Sequence, residues 1–363
     1  MKILRQLNIS LCICMASVCN VEVAGAAEKK PRPRDNVRVS PGREKIIDGA
    51  LAYLADKQIK DGDRKGSWGI SSRERQHSVA ITGYTLIAFQ AAGNLPNEGK
   101  YGKNVKAGME FLLKGERGYF LNPSNGQYMY EHGIATIALG ELYGKTRSKK
   151  IREKLENAVK VIIQAQNSQE GSHHYGGWRY RPRVGDADIS VTVLQVVALR
   201  AAKNAGINVP KQTIDRAVSY VKACRNSDGG FGYQPRSGSG FARTAAAIYS
   251  LQVCGEYGDR DVEKGSDYLM NALRTKGSAH TWYVYGSFYA APAQYMRGGK
   301  RWEDWYKVAG DLADSEKIKM EEGGKTMYRW EAKGGNNVGP IYMTAVYTTL
   351  LAMPYSYIPL YQR

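Results

Sequence analysis

Two kinds of helical pattern alternate between residues 43 and 363. Six segments are polar with one apolar stripe: 43–57, 104–114, 149–167, 211–225, 261–274 and 301–314. Ile46, Ala50, Leu51 and Leu54 recur at three- and four-residue spacing in the first, as do Val159, Ile162 and Ile163 in the third. Six others are apolar or small all round: 77–92, 132–143, 188–205, 241–254, 282–296 and 338–353. A helix without a polar face lies inside something. Between a polar segment and the next apolar one stands a Gly-aromatic turn, such as Gly66-Ser67-Trp68, Gly176-Gly177-Trp178 or Gly229-Gly230-Phe231. Gly93, Gly144, Gly206, Gly255 and Gly298 follow the apolar segments as left-handed caps. Six such pairs predict a closed ring with the apolar helices as its inner wall. An open array would need a polar terminal cap, whereas residues 353–359 are apolar.

Lys2 and Arg5 precede a short apolar run, 9–18, and then Ala24-Gly25-Ala26, the pattern of a secretory signal peptide. The expected organisation is a signal at 1–26, a basic Pro-broken arm at 27–42 and one domain at 43–363. Export would place the protein in the periplasm or outside the cell. No later apolar run is long enough to span a membrane. The net charge of +18 favours an anionic envelope surface or an acidic polysaccharide, and export argues against nucleic acid. Cys224 and Cys254 remain after the signal and read as buried thiols too far apart for a disulfide.

Gln58 and Gln166, each followed by Gly and then an aromatic, resemble the QW-type repeat of squalene and terpenoid cyclases. The run from Asp228 to Gly232 resembles the matching repeat of protein prenyltransferase β-subunits. The order Asp188-Ile189-Ser190-Val191-Thr192 through Gly206, with the terminus from Gly339 to Arg363, resembles bacterial exported proteins carrying prenyltransferase and squalene oxidase repeats. The resemblance implies an all-α (α/α)6 toroid of six inner and six outer helices.

It also implies a chemistry. Class II terpenoid cyclases use the middle Asp of a DxDD motif as a proton donor, its pKa raised by burial and neighbouring carboxylates. Asp186-Ala187-Asp188-Ile189 matches three of four positions, with Asp188 as the acid and Asp186 its neighbour. Asp188 also precedes an inner helix, where it can simply cap the first N–H groups. Zinc-dependent prenyl transfer would need an Asp-x-Cys pair and a distant His, which the chain lacks; no metal or other cofactor is expected. His77, His132 and His280 stand at inner-helix starts and should gather with Glu131, Arg243 and the Asp pair at one mouth. Tyr283, Tyr285 and Tyr289 could line a hollow, stacking on a cation, a flat lipid or a sugar, or fill the core.

Three functions stay open. The first is a cavity that binds or transforms an isoprenoid or other apolar ligand, as a cyclase-like isomerase or lyase if it is an enzyme. The second is an acidic-polysaccharide lyase or binder, with His280, Tyr283 and Arg243 at the uronate. The third is a non-catalytic envelope scaffold, which a hollow filled by side chains would favour.

Overall fold

The computed structural model describes residues 35–361 apart from 116–117, 121–125, 127, 183 and 332–337. The expected signal and the Lys29–Arg34 stretch of the expected arm lie outside the described residues. Residues 35–40 have no regular secondary structure, and Val37 and Val39 pack on the core.

The inner helices are α3 (Ser78–Ala91), α5 (Tyr128–Thr146), α7 (Ile189–Asn204), α9 (Phe241–Val253), α11 (Tyr283–Arg297) and α13 (Pro340–Ala352). The outer ones are α1 (Pro41–Asp56), α4 (Gly102–Leu113), α6 (Lys149–Ala165), α8 (Lys211–Ala223), α10 (Arg260–Lys276) and α12 (Gly299–Glu316); α2 (Ser72–Gln76) is a single turn. Each inner helix packs on the next, and α13 returns to α3, so the ring closes. Small residues set the spacing. A Cβ on Gly133 would lie 2.8 Å from Leu194, and one on Gly286 2.8 Å from Ala242.

The Gly-aromatic turn is a repeated clamp. Indole N–H groups donate back to the preceding outer helix: Trp68 to Leu54 O (2.6 Å), Trp178 to Ile162 O (2.8 Å) and Trp330 to Ala313 O (2.8 Å). The same residues' backbone N–H groups donate forward to a Thr hydroxyl inside the next inner helix, Thr82, Thr192 and Thr344; Phe231 does so to Thr244. Gln58 donates to both Gly66 O and Asn104 O, and Gln166 to Gly176 O and Thr213 O, tying each turn to the following outer helix. Gly66 and Gly176 both have φ of 90°, and a Cβ there would sit 2.3 Å from Ala107 O and 2.1 Å from Arg216 O.

The seam joins first and last units twice. On the outside, Arg43 of α1 pairs with Asp311 (2.8 Å) and Asp314 (3.0 Å) of α12. On the inside, fully buried Glu74 of α2 accepts the N–H groups of Ile341 (2.7 Å) and Tyr342 (3.2 Å), capping α13 from across the seam. Its other oxygen accepts Ile70 N–H (3.0 Å) and Ser71 N–H (3.1 Å).

Three features depart from the sequence reading. An antiparallel hairpin, β1 (Ile318–Glu322) and β2 (Lys325–Arg329), interrupts the all-helical pattern; its turn is Gly323-Gly324, with φ of 57° and 71°. α5 starts at Tyr128, so His132 lies one turn inside it. His280 precedes the start of α11. At the far rim, the tail places Ile358, Leu360 and Tyr361 in the core against the ends of α7 and α11. There Leu360 N–H lies 3.5 Å from Glu141, whose carboxyl burial pushes up to about 7. Cys224 is buried, Cys254 half-buried, and both are free thiols.

Candidate functional site at the ring mouth

All six inner helices start at one rim, as contacts between their first turns demonstrate. His77 beside α3 meets Glu131 of α5, Tyr130 of α5 meets Ser190 of α7, Tyr285 of α11 meets Ser190, Gly286 of α11 lies against Ala242 of α9, and Glu74 meets the start of α13. Asp188 is fully buried there and N-caps α7. Its Oδ1 accepts the N–H groups of Ser190 (2.9 Å) and Val191 (3.0 Å) and the Ser190 hydroxyl; Oδ2 takes Arg179 Nη1 at 2.5 Å. Both carboxyl oxygens are therefore committed as acceptors, whereas a cyclase acid must present an O–H to its substrate. Asp186 pairs with Arg179 Nε (3.0 Å) from a more exposed position.

Arg179 is the hub. It also donates to Tyr233 O–H (2.6 Å) and lies 4.3 Å from the Tyr180 ring. Burial opposes its charge, but the bonds to Asp188 and Tyr233 outweigh that and hold the guanidinium above its ordinary range. The Tyr180 and Tyr233 hydroxyls are 2.6 Å apart, and Tyr130 stacks on Tyr180 at 5.7 Å.

The expected hollow is occupied. Tyr285 reaches from α11 across the ring to donate to Ser190 O on α7 (2.7 Å), touching Tyr289 (5.0 Å) and Tyr130 (6.2 Å) on the way. Tyr84 of α3 meets Phe288 (4.8 Å) and Tyr342 (5.0 Å) edge-on. Burial lifts the hydroxyls of Tyr130, Tyr285 and Tyr289 well above the usual tyrosine range, so they stay protonated at neutral pH, and Tyr130 and Tyr285 donate to Ser190.

Each of the three histidines has its own partner. His77 Nδ1 sits 3.0 Å from buried Glu131. His132 accepts the Tyr128 hydroxyl at Nδ1 (2.7 Å) and donates from Nε2 to Ala158 O (3.0 Å); burial lowers it to about 4, so the ring is neutral. His280 bonds Ala272 O (2.9 Å), the job the indoles do in other units, and both it and Tyr283 stack on Phe241. His280 and Tyr283 thus pack on the first residue of α9, and Asp186 and Asp188 pair with Arg179. Arg243 lies in the next unit, against the Gly240 backbone and near Tyr268. Among the described residues no His, Cys, Asp or Glu cluster has the make-up of a metal site.

His132 gives a pH signature. Its folded value lies below that of the unfolded chain. The neutral-ring stability is thus complete above about pH 6.5 and lost as pH falls toward 4, about 3 kcal/mol in all. In urea titrations the stability lost between pH 7 and pH 4.5 should shrink in His132→Gln.

Sequence reasoning missed Arg179, Tyr180 and Tyr233. Aligning the turns reveals a signal: Tyr180 and Tyr233 each stand two residues beyond the plug residue, Trp178 or Phe231. It also missed Trp282, which is 51 % exposed with φ of 60° and ψ of 30° at the head of α11. A bulky residue in the left-handed region is uncommon and concentrates at ligand sites. Ile70, Tyr119 and Val184 are exposed in other turns of this rim.

Residues 133–296 match the family model of the squalene-hopene cyclase C-terminal domain. No curated protein matches the chain. Among solved structures, it is similar to the unsaturated glucuronyl hydrolase of Bacillus sp. GL1 that degrades glycosaminoglycan (12 % identity, TM-score 0.61, covering 88 % of this chain and 99 % of that one). It is also similar to the α-1,6-mannanase of Salegentibacter sp. HEL1_6 (8 %, 0.58, 87 % and 99 %). A third is the Candida albicans protein geranylgeranyltransferase-I complexed with GGPP (12 %, 0.53, 87 % and 95 %). Among the described residues no helix is long and apolar enough to cross a membrane. With its closed double ring and its clamped turns, the protein is an (α/α)6 toroid whose middle, residues 133–296, matches the squalene-hopene cyclase C-terminal domain model.

Proposed function

We propose that this is an exported, non-catalytic toroid that holds an acidic polysaccharide on its mouth. The observation that carries the reading is the contrast between a hollow filled by tyrosines and a rim that exposes Trp282. A sugar chain needs an open aromatic face and cations; an engulfed apolar ligand needs an empty apolar cavity. Arg181 and Arg236 are exposed on the same rim and suit carboxylates or sulfates. The Tyr130 and Tyr285 hydroxyls, held as donors, favour binding over lyase chemistry. Two neighbours act on glycans, and the mannanase has been seen with α-1,6-mannotriose.

The family match and the neighbour holding GGPP favour a second reading, an isoprenoid ligand with Asp186 and Asp188 as polar anchors. It requires Tyr285 and Tyr289 to swing out of the hollow. Calorimetric titration separates the two. Hyaluronan oligomers should bind wild-type protein, and about tenfold more weakly to Trp282→Ala, a loss of about 1.4 kcal/mol. No binding across a panel of acidic oligosaccharides, with binding of an isoprenoid alcohol, would favour the second reading. Release of unsaturated product, seen by absorbance, would replace the binder with a lyase.

A further inference from the structure

A groove of about 1000 Å³ lies on the outer wall between α1, the start of α4 and the β1–β2 hairpin. Closing the ring does not require this hairpin; other units pass from outer to inner helix by a turn. Its Tyr328 rests on Gly49, where a Cβ would be 2.5 Å from the ring, and with Tyr101 it walls a floor opened by Gly49 and Ala52.

The charges there are unequal. Lys57 holds both rim carboxylates, Asp56 (2.7 Å) and Glu322 (3.8 Å). Lys45, Lys100 and Lys325 come from three separate segments, and among the described residues none has a carboxylate at ion-pairing distance. Asp48 is the remaining acid of the lining. From Lys45 to Asp56 the wall runs about 17 Å, at 1.5 Å per helical residue.

We infer that this groove is a second binding site, for a stretch of linear anionic polysaccharide. Cations spread along an open trough suit a polymer, whereas a small anion needs them converging on one point. The interspersed Asp48, Asp56 and Glu322 accept hydroxyl donors from sugars and repel the dense phosphates of a nucleic acid. The site is independent of the mouth.

The test uses the full-length chain without its signal and a size-fractionated polygalacturonate oligomer. Lys45→Glu/Lys100→Glu/Lys325→Glu should weaken binding tenfold or more at fixed salt. Lys150→Glu/Lys160→Glu/Lys264→Glu, with the same change in net charge, should stay within twofold. Equal losses in the two variants would mean attraction to net charge alone and overturn the site. Lysine acetylation read by mass spectrometry gives a second measure on unaltered protein. The oligomer should protect Lys45, Lys100 and Lys325, and it should still do so in Trp282→Ala. Loss of binding in Trp282→Ala with those three lysines unprotected would leave the mouth standing and remove the groove. Protection unaffected by Trp282→Ala, with unchanged affinity, would do the reverse.

Discussion

Asp188→Ala is expected to cost the fold about 3–5 kcal/mol, the range for breaking one side of a buried ion pair. The loss has two parts. The N–H groups of Ser190 and Val191 lose their acceptor, and Arg179 keeps its charge in a half-buried position with only Asp186 opposite. Asp188→Asn retains a capping oxygen and should fall between wild type and Asp188→Ala. Asp186→Ala should cost about 1 kcal/mol or less, because that carboxylate is 42 % exposed. Urea unfolding of the three variants orders them. Equal effects for Asp186 and Asp188 would mean that the cap and the buried pair do not anchor α7.

Glu74→Ala should be the second severe variant, at about 4 kcal/mol, since four backbone N–H groups lose their acceptor together. Two of the four belong to α13, so the damage should be local to the seam. Native-state hydrogen exchange is the discriminating measurement. Protection should fall first in α13 and in residues 70–76, while α7 and α9 keep theirs. Uniform loss of protection round the ring would show that closure is not held at this point. Arg43→Ala, on the outer layer of the same seam, should be milder because Asp311 and Asp314 are partly exposed.

The ring was legible because its signal is redundant. Every unit carries an amphipathic helix, a glycine that must adopt positive φ, an aromatic and an apolar helix, and any one unit suffices to phase the next. Gln58 and Gln166 were visible as motif residues, and the structure gives their physical task, one amide bridging a turn and a neighbouring helix. The hairpin was not legible. Ile318 to Arg329 is rich in Lys and Glu, only Met327 is fully buried, and the alternation that marks a strand is weak. Asp188 was ambiguous for a different reason. A helix cap and a buried acid place the same residue type at the same position, and what separates them is the partner on the second oxygen. That partner, Arg179, lies in the preceding turn and has no fixed spacing in sequence. Glu74 was hidden more deeply, because its function depends on residues 341 and 342 at the other end of the chain.

The fullness of the hollow could not be read either. Tyr285 and Tyr289 have the spacing of a lining, and lining and filling differ only in whether rings from opposite walls touch. Tyr285 crossing to the Ser190 carbonyl decides it, a contact between helices 95 residues apart in sequence. From that contact follows the shift of interest from the interior to the rim.

Acrylamide quenching of intrinsic fluorescence tests that shift most directly. Trp68, Trp178, Trp302, Trp305 and Trp330 are at most 1 % exposed and Trp282 is 51 % exposed, so collisional quenching reports on the mouth alone. Addition of a saturating acidic oligosaccharide should lower the quenching constant of wild-type protein. The same addition should change nothing in Trp282→Phe, whose remaining indoles are already shielded. If an isoprenoid alcohol binds and the oligosaccharide leaves Trp282 as open to acrylamide as before, the mouth is not where this protein meets its ligand.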